Sequence, residues 1–407
     1  MSVPDQSNPR IEQDLPLPYP FPLGDLGKLP PLIQWAQKSR PVCPVLMPSG
    51  SRVWMLTRKN DIAAVFADPR FSRNLLAPGS PRISGDDVTA VGRGLFNLDP
   101  PDHTRVKQVI SPYFTRRATQ TYLPLICERA HALLDTMAAG PNPTDLVTAY
   151  AARLQLTVMR GVLGVPPELY DTYEQLFPTG ASISAGPEAT GNETQEIQRF
   201  VAEVIAARRR GPLLDDPLGA LLRAVDAGVI SEEEMAGTAF VLFFTGSDAV
   251  VAPTTTGSMI LMLHRKQLRE CLDDPELWPR AAEEVLRYYH NGVLGFPLVA
   301  TEDVELHGQV VRRGEAVVAS MQAATWDPEH VKNPEKFNIH RSADAAATFG
   351  AGPHYCLGSQ FARGYLHAAL RALFERFPTL YLAVDEHHVP WRNDVIFVRP
   401  VCLPVAW

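Results

Sequence analysis

Phe349 to Gly358 reads FGAGPHYCLG, a loop that carries one thiol, Cys356, between Gly350, Gly352 and Pro353 on one side and a helix on the other. From Ser359 onward Ala362, Leu366, Leu370, Leu373 and Phe377 recur at helical spacing until Pro378 ends the run. The sulfur therefore falls at or just before a helix N-terminus, where free amides and the positive end of the dipole favour a thiolate. Glycines let the backbone approach a flat partner with no Cβ in the way. Phe349 is placed to pack over the sulfur and exclude water. A buried structural cysteine beside a glycine turn is the plain alternative. A zinc site built on His354 and Cys356 is another, but no second Cys/His pair with ligand spacing accompanies it.

An anionic, shielded sulfur is what an axial ligand to haem iron requires. The string F-G-x-G-x-H-x-C-x-G resembles the haem-ligand loop of cytochrome P450 enzymes, with every fixed position present. The resemblance implies a mainly α fold with a small β-rich region, one haem-thiolate catalytic domain over residues 1–407, and haem b as cofactor. It makes Cys356 the iron ligand and Phe349, His354 and Gly358 part of the cofactor cradle. Residues 1–28 read as an extended, proline-punctuated lead-in.

Leu98 to Arg117 reads LDPPDHTRVKQVISPYFTRR. Proline at a helix start, then His103 and Lys107 four residues apart, sets two cation-capable groups on one helix face. A solvated basic helix reads the same way. In the resembled family D-P-P-x-H-x-x-x-R marks the helix whose His and Arg hold a haem propionate. Here Lys107 stands for the Arg, which keeps the charge and loses the bidentate fork.

A long helix opens at Ser231, an N-cap followed by three glutamates, and runs to about His264. Its middle is apolar on nearly every face and should be buried. Asp248 within it is costly unless paired, hydrated or functional. By resemblance this helix crosses the oxygen face of the haem with the pattern A-G-x-D/E-T. The chain has Thr245-Gly246-Ser247-Asp248-Ala249, so the acid is kept and the relay threonine is Ala249. Pro253 removes the N–H that would bond the Ala249 carbonyl. It is expected to kink the helix there and leave that carbonyl free for water. These three residues, Asp248, Ala249 and Pro253, are the candidate catalytic set.

Glu284-Val285-Leu286-Arg287 sets Glu and Arg three apart on one helix face, a pattern of little weight by itself. By resemblance it is the family's structural Glu–Arg pair, with Arg341 as third member. Residues 299–317 alternate with turns and predict short antiparallel strands. The family's further propionate arginine is absent, since that position is Leu298. Gly180 to Asn192 reads as a flexible connection, and Val389 to Trp407 as a β hairpin near the pocket. By resemblance 166–210 forms the lid helices, and the pocket draws on 70–97, 166–200, 291–298 and 391–398.

The 407 residues are 45% apolar, enough for a large core, and carry a net charge of −7, which disfavours nucleic acid as a partner. Five scattered cysteines without C-x-x-C make no disulfide framework and fit a reducing cytoplasm. The first residues show neither signal core nor membrane anchor, so a cytoplasmic, monomeric enzyme is expected. No G-x-G-x-x-G follows a strand, so electrons are expected from a separate ferredoxin or flavodoxin with its reductase. Lys107, Arg116 and Arg117 are candidates for the docking face. The expected activity is O₂-dependent oxidation of a small natural product, by hydroxylation or by hydrogen removal and C–C or C–N coupling. The long-helix motif and the Leu-Pro-Val-x-Trp ending resemble P450 enzymes acting on aromatic cyclodipeptides. Hydroxylation of a terpenoid or macrolide remains open, as does a haem-binding sensor without turnover.

Overall fold

The computed structural model describes residues 15–77, 79–85, 87–177, 187–289, 292, 294–341, 348–392 and 397–407. Its axis is the central helix Glu232–Leu263. Ser231 and Glu234 start it with a reciprocal capping box: the Glu234 amide donates to Ser231 Oγ at 3.1 Å and the Ser231 amide to Glu234 Oε2 at 2.9 Å. The helix is long and apolar enough to cross a membrane, but 72% of its most apolar window is buried inside the protein. It is a core element. Its polar residues are accommodated locally, since the hydroxyls of Thr254, Thr255, Thr256 and Ser258 each donate to the carbonyl four residues back. The helix runs unbroken through Pro253. The expected kink is therefore not an interruption; the missing N–H at Pro253 is absorbed within a continuous helix.

Around this axis pack Ala152–Val162, Pro187–Arg210, Pro217–Asp226, Trp278–Tyr288 and Ser359–Arg376. The last of these also lies along Arg116–Ala138 and Trp278–Tyr288, as its apolar spacing predicts. Leu366, Leu370, Leu373 and Phe374 are at most 1% exposed. Each such side chain contributes about 1.5–3 kcal/mol. Pro187–Arg210 begins earlier than the sequence suggests. Residues 187–192, read there as connection, form its first turns, with Pro187 at the start where its missing N–H costs nothing. Residues 180–186 of that connection, with 178 and 179 before it, and 1–14 of the lead-in lie outside the described residues.

The β region is small and sits to one side. Six strands follow the order Leu17–Pro18, Val42–Leu46, Arg52–Leu56, Ala316–Ala319, Leu298–Ala300, Phe71–Ser72. The final two are antiparallel, with Phe71 opposite Ala300 and Ser72 opposite Val299. Val304–Leu306 and Gln309–Val311 form a hairpin, as predicted. The C-terminal hairpin is narrower than expected. Trp391–Arg392 pairs with Arg399–Pro400, whereas Pro404–Ala406 joins Thr144–Asp145 and Tyr381–Leu382 in another sheet.

The Glu–Arg pair is buried, not superficial. Glu284 accepts two bonds of 2.8 Å from Arg287, and both side chains are at most 3% exposed. Arg341 adds contacts at 3.3–3.4 Å and the Asn338 amide one at 2.8 Å. Arg287 reaches on to the carbonyls of Thr325, Pro334 and Lys336. The triad thus pins the meander before the cysteine loop to helix Trp278–Tyr288.

Candidate active site

The cysteine loop is shaped by its glycines. Gly350 and Gly352 have φ of +77° and +67°, a region that L side chains rarely adopt. A Cβ on Gly352 would lie 2.1 Å from the Phe66 carbonyl oxygen. This close approach is to protein backbone, the end of helix Lys59–Ala67. The Cys356 amide donates to the Phe349 carbonyl at 3.0 Å, closing the loop on itself. Helix Ser359–Arg376 starts three residues later. The Gly358 amide hydrogen-bonds the sulfur, and Lys107 and Arg363 add positive field; these favour the thiolate, while burial, the larger influence, raises the thiol pKa. Cys356 is nonetheless exposed by surface area, so its sulfur faces a recess within the fold. Arg363 sits over the Phe349 ring at 4.4 Å and fixes the ring beside the loop.

Lys107 does not project freely. Its ammonium donates to the carbonyls of Pro353 at 2.6 Å and Tyr355 at 3.1 Å, so it braces the cysteine loop. Arg105, two residues earlier on helix Asp102–Ile110 and so on its other side, makes a bidentate pair with Glu234 at 2.7 and 2.9 Å and ties that helix to the central one. His103, on the same helix, is 2% exposed and meets the His354 ring at 4.1 Å between centroids. Burial drives both imidazoles neutral: His103 is lowered to about 4 and His354 to about 2, with neighbouring cations adding to the effect. His354 also hydrogen-bonds the backbone of Leu98.

One residue beside them was not legible as a site residue. Arg73 follows the edge strand Phe71–Ser72, is 9% exposed, and lies over the Phe96 ring at 5.1 Å. Asp99 holds it in place by accepting from the Arg73 amide at 2.8 Å and from the Ser72 hydroxyl. Nε and Nη1 of Arg73, Nδ1 of His103 and Nε2 of His354 are all buried without a protein partner. Four orphaned nitrogens at one place fit a polyanionic group. The two carboxylates of a haem would supply acceptors for these nitrogens, two of which belong to the cationic Arg73 guanidinium and two to neutral imidazoles. Among the described residues no group of three or more His, Cys, Asp or Glu is gathered as a metal site.

On the opposite side, Asp248 is 4% exposed and accepts from Arg399 Nε at 2.9 Å through Oδ1; Oδ2 is buried without a partner. The sequence shows the acid but not its partner, which comes from the C-terminal hairpin. Burial raises the Asp248 pKa, against the lowering fields of Arg399 and Arg392. Thr245, Gly246 and Ala249 are half-buried where the rest of the helix from 237 to 262 is buried. The Thr245 hydroxyl donates to the Val241 carbonyl at 2.7 Å. Phe96 and Phe296, from two segments expected to line the pocket, pack edge to face at 4.4 Å and remain partly exposed. Of the other pocket segments, residues 291, 293 and 393–396 lie outside the described residues. Arg116 and Arg117 are exposed at the start of helix Arg116–Ala138.

Comparison with known proteins agrees with this geometry. The cytochrome P450 family model matches residues 270–400. The chain is 36% identical to nocardicin C N-oxygenase of Nocardia uniformis subsp. tsuyamanensis, over 90% of this chain and 93% of that protein. It is 34% identical to mycinamicin IV hydroxylase/epoxidase of Micromonospora griseorubida, over 91% and 94%. The crystal structure of the mycinamicin VIII C21 methyl hydroxylase MycCI from Micromonospora griseorubida superposes with a TM-score of 0.88 at 25% identity, covering 96% of this chain and all of that one. The conjunction of cysteine loop, buried Glu–Arg triad, unpartnered nitrogens of Arg73, His103 and His354, and relatives matched over most of their length leads to one conclusion: this chain belongs to the cytochrome P450 family and is a haem-dependent oxidoreductase.

Proposed function

We propose that the chain tailors a small natural product by O₂-dependent oxidation, with Cys356 as iron ligand and an aromatic cyclodipeptide as substrate class. When bound, the haem supplies two-electron oxidation of an unactivated bond. Cys356 would hold its iron, and His103 and His354 would hold its carboxylates. The Gly358 amide, Lys107 and Arg363 favour the thiolate against the effect of burial.

The observation that carries the reading is the oxygen-side helix. Ala249 stands where the family pattern has the relay hydroxyl, and Asp248 is anchored by Arg399 with Oδ2 left unpartnered. Asp248 then holds and releases the proton, and the Ala249 carbonyl released by Pro253 is available to hold a water on the same stretch. A site with so few hydroxyls suits abstraction of hydrogen followed by coupling as well as hydroxylation. The Phe96–Phe296 pair offers faces and edges to a flat aromatic substrate. Relatives support a natural-product setting, since their names specify N-oxygenation of nocardicin C and hydroxylation or epoxidation of mycinamicin IV. Electrons come from an acidic ferredoxin, for which exposed Arg116 and Arg117 provide complementary charge.

The test is turnover of Trp- and Tyr-containing cyclodipeptides with a surrogate ferredoxin and reductase, products read by mass. A low-to-high-spin shift and a product two hydrogens lighter, or one oxygen heavier, support the reading. Asp248→Asn should bind substrate with an unchanged shift and lose at least about tenfold in product formation. Absence of a spin shift with every cyclodipeptide, beside a clear one with a macrolide or terpenoid, overturns the substrate class.

A further inference from the structure

The family pattern places an arginine at position 298, and this chain has leucine there. The sheet shows where the charge went. Phe71 pairs with Ala300 and Ser72 with Val299 in antiparallel register. Continuing that register by one residue sets Arg73 opposite Leu298. Leu298 is 4% exposed and belongs to the apolar cluster that also holds Phe71 and Val317. The neighbouring edge strand supplies the cation instead. Arg73 is buried, its backbone is clamped by Asp99, and its field acts on both His103 and His354. Two of its nitrogens have no protein partner. A buried guanidinium with unpaired N–H groups is costly unless an anion meets it. Asp99 does not fill that need, because it accepts from the Arg73 amide and the Ser72 hydroxyl, not from the guanidinium. Lys107 gives two of its three N–H groups to the carbonyls of Pro353 and Tyr355, which leaves at most one for a carboxylate and no bidentate grip.

We propose that Arg73 is the guanidinium that grips the haem carboxylates, moved across the sheet from position 298 to the strand beside it. The clamp is then Arg73, His103 and His354, while Lys107 braces the thiolate loop. This rests on the haem reading of the site, and the assay begins from protein already loaded with haem, so failure of one is distinct from failure of the other.

The experiment measures transfer of haem from the holoenzyme to excess apomyoglobin. Arg73→Met should lose haem about ten- to a hundredfold faster, the worth of one or two charge-assisted hydrogen bonds. Leu298→Arg in that background should recover most of the loss, because the guanidinium returns to the facing position. In the wild-type background Leu298→Arg should not slow haem loss, since two guanidiniums would then compete for one place. Arg73→Gln, which keeps a donor, serves if Arg73→Met does not accumulate, and should also lose haem faster. Resonance Raman of the holoenzyme adds a readout that a purely structural role would not move: the propionate bending band should shift in Arg73→Gln. Haem loss within twofold of wild type, an unshifted propionate band, or no rescue by Leu298→Arg overturns the proposal.

Discussion

Arg399→Met is expected to destabilise the protein through Asp248, and to do so less as the pH falls. The two side chains are 2% and 5% exposed and joined at 2.9 Å, and Asp248 Oδ2 has no other partner. Removing the guanidinium leaves a carboxylate buried in the core between the central helix and the C-terminal hairpin. Stranding one member of a buried pair costs about 3–5 kcal/mol. With an unfolding entropy of about 2.1 cal/mol/K per residue, that lowers Tm by about 4–6 °C. The sign of the pH effect follows from the direction of the shift. Burial already raises the Asp248 pKa in the folded state, and loss of Arg399 removes the largest opposing field. The folded state then binds more protons than the unfolded one between the two pKa values. Stability of Arg399→Met therefore rises as pH falls from 7 through the folded pKa, and levels off below the unfolded one. Asp248→Asn combined with Arg399→Met removes the stranded charge, so it should regain at least half of the loss and lack this pH dependence. The assay is thermal denaturation of the holoenzyme between pH 5 and pH 8 by near-UV and Soret signals. A double variant no more stable than Arg399→Met, with a deficit equal at all pH values, would show that the ion pair is not what holds the hairpin to the helix.

Further outcomes follow from the other contacts. Cys356→Ser should lose the red-shifted ferrous–CO Soret band; retention of that band would remove Cys356 as ligand. Arg287→Met leaves Glu284 buried with only Arg341 and one amide, and should cost about 3–5 kcal/mol and yield largely haem-free protein, read by the Soret-to-280 nm ratio. Lys107→Met unties two loop carbonyls and removes positive field from the sulfur, so the ferrous–CO complex should convert faster to its thiol-ligated form. Pro253→Ala returns an N–H to the Ala249 carbonyl and should raise peroxide release per NADPH consumed; unchanged coupling would place the water path elsewhere.

The local string 349–358 and the periodic run after it determined the family, the cysteine and the helix behind it, because a positive-φ glycine turn and an amphipathic repeat are properties of consecutive residues. The capping box at Ser231, the burial of the central helix and the Glu284–Arg287–Arg341 set were legible for the same reason or through resemblance. What the sequence left open were pairings between distant segments. The sequence offers Lys107 as a cation for a propionate or a docking face, and only the fold shows it donating to the carbonyls of Pro353 and Tyr355. For Asp248 the sequence leaves pairing, hydration and function open, and its partner comes from 151 residues away. Arg73 carried no motif at all. Its meaning depends on an antiparallel register that sets residue 73 beside 298, and on the nitrogens of Arg73, His103 and His354 that the same packing leaves buried and unpaired. Charge placement of this kind is decided by tertiary structure, because burying a charge is costly enough that its value depends on which distant groups the fold brings to it.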